Sequence, residues 1–178
     1  MLIFGFGSLM WDGWEDELGC LSKSKADLKG YRRKFNKASV KNWGNKENPG
    51  PTLNVEQDES SACSGLAFEF SDKDKDKVLE YLREREGKAF PLRERIVCLE
   101  DGREEKAFVP IYEGKNVLNE TLEELSDRAS RAEGTSGKCL DYVLNIETHL
   151  KSSGINDAEV SKMVALVRGK KDKKTLDK

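Results

Sequence analysis

From residue 2 to residue 112 the apolar residues of this chain recur mainly at every second position, and from residue 119 onward they recur every third or fourth. A strand turns alternate residues to opposite faces and a helix repeats every 3.6 residues, so the switch divides the chain into a β-rich part followed by a helical part. That order predicts an α+β fold: a small mixed sheet or partly closed barrel with a helical group packed outside it. One helix is inserted among the strands. Ser71 can cap its free N–H groups, Asp72, Asp74 and Asp76 suit the positive end of its dipole, and Val78, Leu79 and Leu82 form its apolar stripe with Tyr81 beside them. Gly87 is a natural stop. Glu86 is thereby left on the last turn, where the negative end of the dipole favours the proton-bound carboxyl, a useful property in a general acid/base.

The strands are expected at residues 2–4, 26–28, 31–40, 52–57, 62–70, 95–100 and 105–112. Lys29-Gly30, Asp58-Glu59-Ser60 and Asp101-Gly102 serve as the turns within the last three pairs. Leu66, Phe68 and Phe70 alternate with Ala67 and Glu69, which predicts one buried and one more exposed face. Residues 11–17, acidic and aromatic without a period, and residues 42–51, rich in Asn, Pro and Gly, read as loops. Tyr31, Arg33 and Phe35 share one strand face, which leaves Arg33 two readings: a cation stacked on rings, or one aimed at a pocket.

In the helical part, Leu122, Leu125, Ala129 and Ala132 mark a first helix. Leu140, Val143, Leu144 and residues 146–150 mark a second that ends at Gly154. Val160, Met163, Val164 and Val167 mark a third, capped by Asn156 with Glu159 in the capping-box position and closed at Gly169. Residues 1–169 then make one domain, and the charged tail 170–178 is expected to be disordered.

Charged residues are 36% of the 178, but 31 basic side chains nearly balance 33 acidic ones, so no global field draws in nucleic acid or an anionic membrane, and a small-molecule ligand is expected. No run is long and apolar enough to span a bilayer, and the N-terminus lacks a signal-peptide pattern, so the expected location is cytoplasmic. Cys20, Cys63, Cys98 and Cys139 are scattered without CxxC spacing, which argues against a metal or disulfide framework. The single histidine, His149, falls in a helical pattern far from any glycine loop, and nucleophilic-triad chemistry is disfavoured.

The most distinctive stretch is the first. Residues 2–4 run into Gly5-Phe6-Gly7-Ser8-Leu9-Met10-Trp11, an apolar strand opening into a loop with two glycines and a hydroxyl. Taken alone it has two readings: a strand ending in a turn, or a loop whose backbone N–H groups, unobstructed by Cβ atoms, hold an anion or a polarised carbonyl.

Four segments in order resemble the γ-glutamylcyclotransferase superfamily, closest to its ChaC-like branch. Phe4-Gly5-Phe6-Gly7-Ser8-Leu9-Met10-Trp11 resembles FGYGSLxW, Gly30-Tyr31-Arg32-Arg33-Lys34-Phe35 resembles GYxRxF, and Tyr81-Leu82-Arg83-Glu84-Arg85-Glu86 resembles YLxxRE. Gly134-Thr135-Ser136-Gly137 with Leu140-Asp141-Tyr142 resembles the family's serine-glycine turn and helix. The resemblance implies a cyclotransferase fold and cyclisation of a γ-glutamyl group to 5-oxoproline, with release of the amine partner and no cofactor or metal. It implies Glu86 as general acid/base, with Gly5, Phe6, Gly7, Ser8, Leu9 and Met10 as the substrate clamp and Arg33 as a further contact. The other carboxylates of that helix, Glu80 and Glu84, stand i, i+4 with Arg83 and Arg85 nearby and read as a solvated charge ladder.

The chain departs from the family pattern at Phe6 for tyrosine, Pro51 for arginine, Phe90 near a usual tyrosine, Cys139 for asparagine, and Asn42-Trp43 for a basic or histidine-containing stretch. The resemblance places these mainly around the variable, leaving-group part of the substrate. They keep three outcomes in view: glutathione cleavage, the same chemistry on another γ-glutamyl amine, and a non-catalytic binding protein. Oligomeric state is left open.

Overall fold

The computed structural model describes residues 1–176, with side chains through residue 170. It resolves into two compact units, each assembled from two stretches of chain: Met1–Arg32 with Val55–Gly114, and Arg33–Asn54 with Lys115–Lys178.

Five strands form a closed barrel: β1 (Leu2–Gly5), β2 (Ser22–Ser39), β3 (Gly50–Glu69), β4 (Leu92–Leu99) and β5 (Glu104–Pro110), in the order β1-β3-β2-β4-β5, with all of β1, β4 and β5 and the larger parts of β2 and β3 in the first unit. β1 runs antiparallel to β3, with Ile3 opposite Phe68, and parallel to β5, with Ile3 opposite Phe108. Residues 11–17, expected as a loop, contain a short helix α1 (Trp14–Glu17), and α2 spans Lys75–Glu86. Both cover one face of the sheet: Ile3, Phe68 and Phe70 pack with Leu9, Trp14, Val78, Leu79 and Leu82. The opposite face of the same strands is also closed, since Phe4 is wholly buried and Ala67 nearly so. The expected exposed face of residues 66–70 is therefore reduced to Glu69.

Two expected turns are absent. β2 and β3 each continue unbroken through Lys29-Gly30 and through Asp58-Glu59-Ser60. Gly30 takes φ +76, and the buried positions switch there from Ala26 and Leu28 to Tyr31, Arg33 and Phe35. One extra residue with a left-handed glycine is the mark of a β-bulge, which shifts the alternation without reversing the chain. At the second place Asp58 accepts hydrogen bonds from the Ser60 N–H and from the Ser60 and Ser61 hydroxyls, and ion-pairs with Arg32 at 3.6 Å, so its polar side chains decorate a continuing strand. The hairpin at Asp101-Gly102 forms as expected, with Gly102 at φ +86.

The second unit holds α3 (Leu122–Ala129), α4 (Cys139–Ser152) and α5 (Ala158–Leu176), with a two-residue hairpin β6 (Glu133–Gly134) and β7 (Gly137–Lys138) before α4. α3 is fixed by a reciprocal capping box between Thr121 and Glu124. Leu125 and Ala129 of α3, Val143, Ile146 and Leu150 of α4, and Val160, Met163, Val164 and Val167 of α5 are the buried faces of the three helices. The cap of α5 is Asp157 rather than Asn156: its Oδ1 accepts from Val160 N at 3.0 Å while Oδ2 accepts from the buried Arg33 guanidinium. Nor does Gly169 close α5. It lacks the positive φ of a helix stop, and Lys170 beyond it donates to Glu123 O, Ser126 Oγ and Asp127 Oδ1 at 3.0, 2.6 and 2.5 Å. Most of the tail expected to be disordered lies outside the described side chains. No helix among the described residues is long and apolar enough to cross a membrane.

Candidate active site

The glycine loop follows β1 directly. Ser8–Met10 form a single 3-10 turn, closed by Met10 N donating to Gly7 O at 2.9 Å. The side chains of Phe6, Leu9 and Met10 are buried, whereas Gly7 is half-buried and Ser8 exposed, so Gly7 and Ser8 are the outward part of the loop. Neither Gly5 nor Gly7 has a left-handed φ. Gly5 answers to space instead: a Cβ there would lie 3.0 Å from Leu9 Cβ and 3.2 Å from the Phe68 ring. The first N–H groups of a 3-10 turn have no partner inside it and point outward from its start.

α2 stops at Gly87, whose N–H donates to Arg83 O at 3.0 Å. Of its carboxylates, Glu80 and Glu84 are exposed and Glu86 is half-buried, its side chain 16% accessible. Arg85 leaves the expected charge ladder. Its Nε donates to Glu86 Oε1 at 3.2 Å, and its Nη2 donates to Asp12 Oδ2, just past the glycine loop. Burial alone would lower the Arg85 pKa, but hydrogen bonds to Asp12 and Tyr81 outweigh it and hold the group above its ordinary value.

A second connection runs through Trp14. Its indole Nε1 donates to Leu9 O at 2.8 Å in a buried setting, and its ring stacks on Tyr81, centroids 6.0 Å apart and 11° from parallel. Trp14, stacked on Tyr81 and bonded to Leu9, and Arg85, bonded to Asp12, therefore tie α2 to the glycine loop and the residue just past it at two points. None of Asp12, Trp14, Tyr81 and Arg85 is picked out as a site residue by sequence. The available signal is faint: an isolated tryptophan in an acidic stretch, and an arginine next to Glu86.

Arg33 belongs to the second unit. Its side chain is fully buried and ion-paired with Asp157, the cap of α5. The pair joins β2 to the start of α5. Also in that unit are Tyr142, whose hydroxyl accepts from Leu53 N at 3.1 Å and whose ring meets Trp43 at 5.1 Å, and Cys139, whose Sγ donates to Pro51 O at 3.3 Å. Burial pushes the Cys139 thiol up to about 12, which keeps it protonated and unreactive at neutral pH. Phe90, in the first unit, packs on Tyr112 with centroids 5.0 Å apart. Among the described residues no group of three His, Cys, Asp or Glu side chains is arranged to hold a metal ion.

The sequence profile of the family described as ChaC-like protein matches residues 1–170. γ-Glutamylcyclotransferase 2-3 of Arabidopsis thaliana is 29% identical over 183 aligned residues, covering 94% of this chain and 88% of that one. Glutathione-specific γ-glutamylcyclotransferase 1 of Danio rerio is 25% identical, covering 85% and 79%. The crystal structure of a γ-glutamyl cyclotransferase specific to glutathione from yeast superposes with a TM-score of 0.82 at 18% identity, covering 95% of this chain and 96% of that one, and so shares the fold. With the match running from the first strand into α5, the chain belongs to the ChaC-like protein family.

Proposed function

We propose that the protein is a cofactor-independent γ-glutamyl cyclotransferase that converts glutathione to 5-oxoproline and Cys-Gly in the cytoplasm, with Glu86 as the proton carrier and residues 1–169 working as one domain. The observation that carries this reading is the half-buried Glu86, at the end of an α2 that is tied to the glycine loop and the residue just past it, in a chain of the ChaC-like family.

The α-nitrogen of the γ-glutamyl group attacks its own γ-carbonyl. A C–N bond forms to close the five-membered lactam, and the C–N bond to the leaving amine breaks. At neutral pH the attacking group is an ammonium, which must first lose a proton. The leaving nitrogen must gain one. A single carboxylate within reach of both performs the two transfers in turn, and Glu86 is assigned that task. The nucleophile is already tethered to the electrophile, so holding the substrate folded accounts for much of the acceleration. The outward backbone of Gly7 and Ser8 supplies donors for the oxyanion on the γ-carbon or for the α-carboxylate. Gly5, Phe6, Leu9 and Met10 set the path of that backbone, the last three through buried side chains.

Phe6 lacks the hydroxyl that the family's tyrosine supplies, and a site without a polar donor selects differently. The deciding experiment incubates the purified protein with glutathione and a panel of γ-glutamyl amino acids and amines and measures 5-oxoproline. Release from glutathione is expected. Release from another γ-glutamyl compound alone reassigns the substrate and keeps the chemistry, and no release from any of them favours a binding protein.

A further inference from the structure

We propose that Asp12 is a positioning residue for Glu86 and acts through Arg85. The inference rests on the reading of Glu86 as the proton carrier. Consecutive helix residues diverge by about 100°, so Arg85 and Glu86 do not face one another by default. They are nevertheless joined, Nε to Oε1 at 3.2 Å, because the guanidinium is turned toward the loop. Its fork is rigid and planar, so fixing one of its edges limits the direction of the other donors. Asp12 takes Nη2, and it does so from the loop next to Trp14, whose ring stacks on Tyr81 of α2. Nε is thereby aimed at Glu86. Without Asp12, the long Arg85 side chain is free to swing toward solvent or to close on Glu86 with both edges, and either change redirects the carboxylate.

Stability is a poor explanation for the Asp12–Arg85 pair. Asp12 is 39% accessible and Arg85 20%, and ion pairs this exposed contribute little to folding. The charged groups joined at this corner include Arg85 and Glu86 of α2 and Asp12 of the loop.

The test compares wild type, Asp12→Ala, Asp12→Asn, Arg85→Gln and the double variant Asp12→Ala/Arg85→Gln. In Asp12→Ala, kcat for 5-oxoproline release should fall by about 10- to 100-fold, the scale on which a misplaced catalytic group loses rate. KM should stay within about twofold, and Tm within about 3 °C. Asp12→Asn keeps an oxygen acceptor for Nη2 and should hold kcat within about threefold of wild type. The double variant should be no slower than Arg85→Gln, because the effect of Asp12 is routed through Arg85. An unchanged kcat in Asp12→Ala, or losses that multiply in the double variant, would overturn the proposal. A readout free of turnover accompanies these. In protein labelled with carboxyl-13C glutamate, the Glu86 resonance, identified by its loss in Glu86→Gln, should move in Asp12→Ala at constant pH. A resonance that stays still overturns the positioning role even in a protein that releases no 5-oxoproline, and that second result by itself would sink only the functional reading.

Discussion

Replacing Trp14 by phenylalanine keeps an aromatic ring at the centre of the α1/α2 cluster and deletes the indole donor that reaches Leu9 O. The indole is 3% exposed and the bond is 2.8 Å long. Leaving a buried carbonyl unpartnered costs about 1–3 kcal/mol, and trimming indole to phenyl leaves a small cavity worth about 1 kcal/mol more. The sum, about 2–4 kcal/mol, corresponds in a chain of this size to a Tm lowered by about 4 to 16 °C. Thermal melts and urea titrations followed by circular dichroism read the loss directly, with an unchanged urea m-value showing that the denatured state is unaffected. Because Leu9 lies on the 3-10 turn, the same substitution should slow 5-oxoproline release at a temperature where the variant is fully folded. A Tm within 2 °C of wild type, as an order of what surface substitutions do, together with full turnover would refute the view that Trp14 ties the glycine loop to α2.

Three further outcomes follow from the packing and the ion pairs. In Gly65→Ala the new Cβ would sit 2.3 Å from Gly5 O and 2.7 Å from the Phe4 ring, and backbone cannot give way there. The cost belongs at the upper end of the about 1–3 kcal/mol typical of overpacking, read as lost Tm. Asp157→Ala removes the carboxylate paired with the buried Arg33 and uncaps α5, and should cost about 3–5 kcal/mol. The pair Arg33→Met/Asp157→Leu should recover much of that in denaturant titrations, and an equal or larger loss in the pair would refute the account. Glu147 bonds Lys151 and Arg168, each at 2.8 Å, with the Lys151 hydrogen bond the main cause of a carboxyl pKa below its ordinary value. A depressed folded pKa means its stabilisation is present above the unfolded value and is lost as pH falls through the folded one. The stability gap between wild type and Glu147→Gln should therefore be open at pH 7 and shrink in acid below about pH 4.5. A gap that widens in acid would contradict the sign.

What was legible in the sequence is what local chemistry decides. The stop of α2 at Gly87, the turn at Asp101-Gly102 and the apolar faces of the three C-terminal helices depend on residues within a turn or two of each other, and all are found where the pattern puts them. Lys29-Gly30 reads as a turn because a bulge and a turn call for the same residues, and the strand that continues through it selects the bulge. Asn156 and Asp157 are equally good caps by residue type. The choice is made by Arg33, 124 residues away. The candidate site divides in the same way: Glu86 and the glycine loop stand out through the family resemblance, whereas Asp12, Trp14 and Arg85 take their meaning from contacts 73 residues apart in sequence, as between Asp12 and Arg85.

The central claim is that Glu86 carries the proton, and turnover by Glu86→Gln tests it most directly. Glutamine keeps the size and hydrogen bonding of the side chain and removes its basicity. With glutathione as substrate and folding checked by circular dichroism, the rate of 5-oxoproline release should fall by about 10²- to 10⁴-fold, the usual contribution of a general acid/base, whereas Glu80→Gln and Glu84→Gln on the exposed face of α2 should retain it. A Glu86→Gln protein that turns over at the wild-type rate would contradict the account.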